Sequence, residues 1–351
     1  MHTRNPQGQQ NNKINQEETL LGTAVWYYTI NCVSVSNDDT HTHTQTMDPF
    51  GIVTTPLAIT IALALAIRAQ RKKTLTRSGA ITGCIVGFLI VGTGLRGMVL
   101  FFFYQLGSFA TKYHQTTKER KDATLAHSSA RGSLQVLAVS VTPVLLSLLH
   151  ALWFGAEQPI QFFDDTTTHH QAQSHQNLAS SLTCAILAHH ATSLADTLAS
   201  ELGILSQETP ILITRPWMRV PAGTNGGITL LGTFWSLAGG AIIGVLTVLM
   251  DVVSGIMAPS NVIPMIVLGA ISGLFGSLVD SLLGATLQSS LYDADKKLIY
   301  HANSDNLPPS LERISGMNLL TNEQVNFVSS TLTAYVGGWI LGPWIFGSAK
   351  S

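Results

Sequence analysis

Charge is what this sequence has least of. Only 11% of its 351 residues are Asp, Glu, Lys or Arg, against about 25% in a typical soluble domain. That shortage excludes an ordinary soluble enzyme and a disordered scaffold. The net charge of −1 excludes a global field that would gather nucleic acid. Cysteine is scarce too. Cys32, Cys84 and Cys184 cannot build a disulfide framework, and the last two fall in apolar runs where a thiol is expected to be buried. A secretory signal needs a basic region directly before its apolar core. Here Glu17 and Glu18 precede the short apolar stretch 20–30, and the same acids weaken a transit-peptide reading.

Apolar sequence is what the chain has in quantity: 46% of it is hydrophobic. Residues 1–49 form a polar tail rich in Gln, Asn, Thr and His, expected to be disordered, with His41 and His43 solvated rather than metal-bound. From Phe50 a long apolar run alternates with a short polar gap, at 50–67, 79–95, 97–110, 133–154, 178–204, 226–250, 262–287 and 326–346. About 20 apolar residues cross a bilayer as a helix. The expectation is an all-α, polytopic integral membrane bundle over 50–347, of about eight transmembrane helices, or seven if 79–110 is one broken helix around Arg96. Basic residues collect in loops 68–78, 111–132, 205–225 and 288–325, whereas 155–177 and 251–261 have none. With eight spans these four loops share one face, which the positive-inside rule makes cytosolic, leaving the N-terminus outside.

Four segments carry chemistry that a membrane does not tolerate without reason. The span 178–204 holds His189, His190, Asp196 and Glu201. At 100° per residue His189, Ser193, Asp196 and Ser200 share one face, and His190, Thr197 and Glu201 a second. A carboxylate at bilayer depth is costly unless it faces protein, water or a cation. No HExxH spacing exists, so zinc is not expected. In the span 262–287, Gly269, Gly273, Gly276, Asp280 and Gly284 line one face, a stripe that admits close helix packing but does not need an Asp. Asp196, Glu201 and Asp280 therefore lie toward one end of two helices, an arrangement that suits Mg²⁺, which takes one or two carboxylates plus phosphate oxygens. Between the two helices, Arg215 and Arg219 flank Trp217, and the turn Gly223, Thr224, Asn225, Gly226, Gly227 opens the next helix as an anion site, although it is not a Walker A loop. Before the last span, Asn322 and Asn326 are spaced to face one partner; helix capping by Asn322 is the bland alternative.

The strings ADTLASE (195–201), VPAGTNGGITLLG (220–232), GLFGSLVDSLLGATLQ (273–288) and NEQVNFVSS (322–330), with SGAITGCIVGF (78–88) upstream, resemble the transmembrane protein 19 family, also called DUF92. The resemblance covers roughly 50–347. Leu198 stands where the family motif usually has Trp, and Asn322-Glu323 where it has Asn-Asn. The family includes a plant plastid phytyl-phosphate kinase. The resemblance therefore implies an integral-membrane kinase that makes an isoprenoid diphosphate from the monophosphate and a nucleoside triphosphate, CTP or ATP, in the endoplasmic reticulum or plastid envelope. On that reading Asp196, Glu201 and Asp280 hold Mg²⁺; Arg215, Arg219 and the turn 223–227 hold phosphates; Asn322 and Asn326 orient them. The partners are the bilayer and the amphiphilic isoprenoid phosphate, with no nucleic acid. A transporter, another lipid-phosphate enzyme and a non-catalytic membrane protein are the alternatives.

Overall fold

The computed structural model describes residues 48–119, 121, 130–163, 170–301 and 310–348. The N-terminal tail through residue 47, with Cys32, His41 and His43, lies outside them. Each apolar run is helical. In chain order the helices are α1 (Thr54–Arg71), α2 (Arg77–Thr93), α3 (Met98–Lys112), the short α4 (Gln115–Glu119), α5 (Ser133–Ala138), α6 (Val141–Phe154), α7 (His170–Gly203), α8 (Leu230–Val253), α9 (Val262–Leu287), α10 (Asn322–Val336) and α11 (Gly342–Ser348). A one-turn 3₁₀ segment, Leu95–Gly97, separates α2 from α3, so 79–110 is two helices. Only α8 and the stretch Pro259–Leu287 are by themselves long and apolar enough to cross a bilayer, among the described residues.

Local chemistry sets the ends. The Thr76 hydroxyl accepts from Gly79 N at 3.0 Å and starts α2, and Thr229 accepts from Gly232 N at 3.0 Å and starts α8. Thr321 and Gln324 form a capping box at α10, which makes Asn322 its first helical residue rather than its cap.

The unusual polarity of the span 178–204 has a structural reason. Helix α7 is 34 residues long and is the hub of the bundle: α3, α6, α8, α9 and α10 all pack on it. Ala185, Ala188, Ala191 and Ala195 are wholly buried and small enough to admit neighbouring helices, so α7 meets protein where an outer helix meets lipid. The glycine stripe on α9 does the same. A Cβ on Gly273 would fall 2.8 Å from Gly240 Cα on α8 and 3.0 Å from Ala195 Cβ on α7. Gly273→Leu should therefore destabilise the protein by about 3 kcal/mol, read as a lowered thermal midpoint in detergent. Gly83→Ala on α2, where a Cβ meets only Leu75 Cδ1 at 3.5 Å, should leave the midpoint unchanged or raise it.

The all-α expectation gives way in two loops. Strands β1 (Ile211–Leu212), β2 (Arg215–Arg219) and β3 (Gly227–Ile228) form an antiparallel sheet in the order β2-β1-β3. Strands β4 (Ser290–Asp293), β5 (Leu298–His301) and β6 (Glu312–Ser315) form another in the order β5-β4-β6. The β4–β5 hairpin turns on Asp293, whose Oδ1 accepts from the backbone N–H of Asp295 and of Lys296, both at 3.0 Å, and on Lys297 at φ +55°. These strands are two to five residues long, too short for an alternating pattern to stand out in the sequence.

Candidate functional site at the basic end of the bundle

The loops that carry the basic residues meet at one end, and a cavity of about 880 Å³ opens among them. This lies within the usual range for a small-molecule site, roughly 300–1,000 Å³. Asp196, Glu201 and Asp280 all line it, as do the turn 223–227, Asn322 and Asn326. Arg215 and Arg219 do not. Both are exposed on β2, beside Trp217, which is 82% exposed. The basic residues on the cavity wall are instead Lys73, Lys112, Lys118 and Arg131.

The three acids do not form one cluster. Asp196 on α7 and Asp280 on α9 face each other closely enough to repel, with the Ser277 hydroxyl beside Asp196. Ser329 Oγ on α10 donates to Asp280 Oδ2 at 2.8 Å. With its amide nitrogen turned inward, Asn326 donates to the same oxygen at 3.2 Å and to Asn322 O at 3.1 Å. Glu201, by contrast, is taken by Lys118, whose Nζ donates to Glu201 Oε2 at 2.6 Å and to the carbonyls of Ala110 and Thr111 at 2.6 and 3.0 Å. All three ammonium protons are used, so a lysine only 1% exposed is fully satisfied. His114, at φ +50°, reverses the chain after α3 and brings Lys118 back over the last carbonyls of that helix, where a cation is favoured. Among the described residues no group of three or more His, Cys, Asp or Glu side chains stands ready to hold a metal ion.

The glycine-rich turn sits on the cavity wall but does not open α8. It leads into β3, and α8 begins at Leu230 under its own Thr229 cap. Two of its backbone hydrogen bonds are local, Thr224 N to Pro221 O at 3.2 Å and Gly227 N to Thr224 O at 2.9 Å, while Asn225 N donates to Ser290 Oγ on β4 at 2.9 Å. Asn225 Nδ2 lies 3.1 Å from His301 Nδ1, tying the turn to the second sheet. Gly226 has φ +77°, and a Cβ there would run into Ala285 and Ser281 O on α9, so both backbone and space demand glycine.

His189 and His190 do not line this cavity. Both are buried, and among the described residues no partner meets any of their ring nitrogens. His190 borders a second, small cavity of about 30 Å³ toward the opposite end, with Arg96, Glu157 and His150. There Arg96 makes a two-pronged ion pair with Asp251, Nε to Oδ1 at 2.6 Å and Nη2 to Oδ2 at 2.7 Å, both side chains buried.

The model for integral membrane protein DUF92 matches residues 60–334, which include every residue that lines the main cavity. The chain belongs to the DUF92 family. Among its relatives, Protein PGR of Arabidopsis thaliana is 31% identical over 80% of this chain and 93% of its own. An uncharacterized membrane protein of Methanocaldococcus jannaschii is 28% identical over 66% of this chain and 82% of its own, and one of Synechocystis is 29% identical over 65% and 77%. No solved structure matches. In this DUF92 protein the residues that sequence reasoning left out of the site are Lys73, Lys112, Lys118 and Arg131. In the sequence their loops stand out as basic, a signal that bears on the chain's orientation. Cys184 is buried as expected, while Cys84 is half-buried.

Proposed function

We propose that this DUF92 protein is an integral-membrane kinase that phosphorylates a lipid monophosphate, of isoprenoid type, to the diphosphate. The observation that carries the reading is one cavity that joins a facing carboxylate pair, Asp196 and Asp280, to basic side chains at its mouth and to an apolar arm between helices. Such a chamber suits an amphiphile with an anionic head. In the reaction an oxygen of the lipid monophosphate bonds to the γ-phosphorus of the nucleoside triphosphate, the bond to the β,γ-bridging oxygen breaks, and the nucleoside diphosphate leaves with the electron pair. The nucleophile is already anionic, so no general base is required. Catalysis then rests on positioning and charge neutralisation.

Asp196 and Asp280 fit Mg²⁺ in the manner of a site completed by phosphate oxygens, because two carboxylates brought together inside a polar cavity repel each other without a cation. When bound, Mg²⁺ supplies the neutralisation of phosphate charge. Lys112 from the end of α3, Lys73 from the α1–α2 loop and Arg131 from the loop 130–132 hold phosphate oxygens, a role that Arg215 and Arg219 do not share from their exposed strand. Ser329 and Asn326 hold Asp280 in place; Lys118 and Glu201 tie the chain just after α3, next to Lys112, to α7. In this reading the chain crosses an endomembrane or plastid-envelope bilayer eight times, with the basic end cytosolic and the N-terminus opposite.

Purified protein incubated with phytyl, geranylgeranyl or farnesyl monophosphate, Mg²⁺ and CTP or ATP should yield the matching diphosphate by mass spectrometry. Absence of any diphosphate with every pair overturns the reading. A transport reading draws on His189 and His190, buried polar side chains at mid-bundle. Solute flux into proteoliposomes without nucleotide consumption would favour it.

A further inference from the structure

The main cavity is much longer than a phosphate site needs. From the acid-lined chamber it continues between α1, α2, α3 and the segment 135–140, where its walls become apolar: Ala66, Val86, Ile90, Leu100, Phe103 and Val136. Helix α3 measures its depth. A Cβ on Gly107 would lie 3.4 Å from Thr197 Cγ2, one residue from Asp196, which fixes the level of the acids on α3. Cavity-lining residues then run from Ser108 back to Gly97. At 1.5 Å per residue this is ~16 Å, close to one leaflet of a hydrocarbon core of about 30 Å. Gly97 borders both this arm and the small second cavity, and behind it stands the buried Arg96–Asp251 pair. A hydrocarbon chain that grew past Gly97 would have to displace two paired charges, which is strongly unfavourable.

We propose that the arm binds a single hydrocarbon tail of about one leaflet's length, belonging to a lipid whose phosphate head sits at the acid pair, and that the Arg96–Asp251 pair behind Gly97 sets the longest tail accepted. The inference deepens the kinase reading and rests on it for the position of the head. One arm takes one tail, so the ligand is a single-chain lipid monophosphate and not a diacyl phosphatidate. The arm is reached from the charged chamber, which lets the head stay at the interface while the tail stays in apolar surroundings. Basic side chains that line the cavity, Lys112 and Lys73, match the charge of such a head.

The probe is geranylgeranyl monophosphate with a diazirine at the tail terminus, photolysed on the full-length protein in detergent or nanodiscs and mapped by mass spectrometry. Labels on Ile90, Val91 and Leu100, suppressed by unlabelled geranylgeranyl monophosphate and not by phosphatidate, support the proposal. Labels confined to outward residues such as Ile59, Leu63 or Leu152, or equal suppression by phosphatidate, overturn it. Leu100→Trp fills the inner part of the arm and should weaken geranylgeranyl monophosphate binding about tenfold while leaving geranyl monophosphate within about twofold. An equal loss for both tails would overturn the length stop. Labelling is independent of turnover. Arm labels without diphosphate formation sink the kinase reading and leave the tail site standing; diphosphate formation with labels only outside does the reverse.

Discussion

Asp196→Asn and Asp280→Asn should each lower diphosphate formation by roughly a hundred- to a thousandfold, while the protein stays inserted and its thermal midpoint holds or rises. The second half of that outcome carries the discrimination. The two carboxylates face each other across the α7–α9 contact, and an amide keeps the shape of the acid without its charge. Removing one charge relieves repulsion, so a site kept for chemistry gains stability as it loses activity. If the acids merely glued the helices together, the amides would lower stability and leave any activity intact. Glu201→Gln is the contrasting variant. It keeps an acceptor oxygen for the buried Lys118 but removes its counter-charge, so the ammonium is left uncompensated and the midpoint should fall. Turnover by Asp196→Asn at the wild-type rate would remove the carboxylate pair from the mechanism.

That contrast marks how far the sequence could be read. Carboxylates in apolar helices are conspicuous because the bilayer penalises them, and helical periodicity is enough to show that Asp196 and Asp280 point from two helices toward one end. The partner of each acid is a different matter. Lys118 reaches Glu201 only because His114 adopts a positive φ and folds α4 back over α3, a turn that no local pattern announces. The glycine-rich string was legible as a turn, although it leads into β3 and does not open α8. Its hydrogen-bond partners were not, because Ser290 and His301 come from a sheet that lies far along the chain. Arg215 and Arg219 looked like phosphate ligands because they precede that turn. The strand they occupy turns them outward, and strands this short leave little trace in the sequence. Helix positions were more legible: the apolar run 262–287 coincides with α9 residue for residue, since membrane helices are specified by length and hydropathy rather than by fine detail.

In the sequence Arg96 marks only the break within 79–110, yet its removal should have the largest effect on stability. Its guanidinium is 8% exposed, Asp251 is 1% exposed, and the two are joined by both prongs of the fork across 155 residues of chain. A buried pair of this kind adds little over apolar residues of the same shape, but losing one partner strands the other charge out of water. Arg96→Met or Asp251→Leu alone should therefore cost about 3–5 kcal/mol, whereas the double variant should recover most of it. A double-mutant cycle on thermal or denaturant unfolding in detergent reads the coupling directly. Glu157 adds a pH signature. Its carboxylate accepts from Arg96 N at 3.0 Å, and burial pushes its pKa from the usual carboxylate range up to about 7. A group that is protonated more readily folded than unfolded stabilises the fold at low pH, so this contribution declines as pH rises from about 4.5 to about 7 and is flat above. Glu157→Gln should flatten the slope in that window. Additive single variants would show that Arg96 and Asp251 do not depend on each other, and the end wall of the apolar arm would then need another source of rigidity.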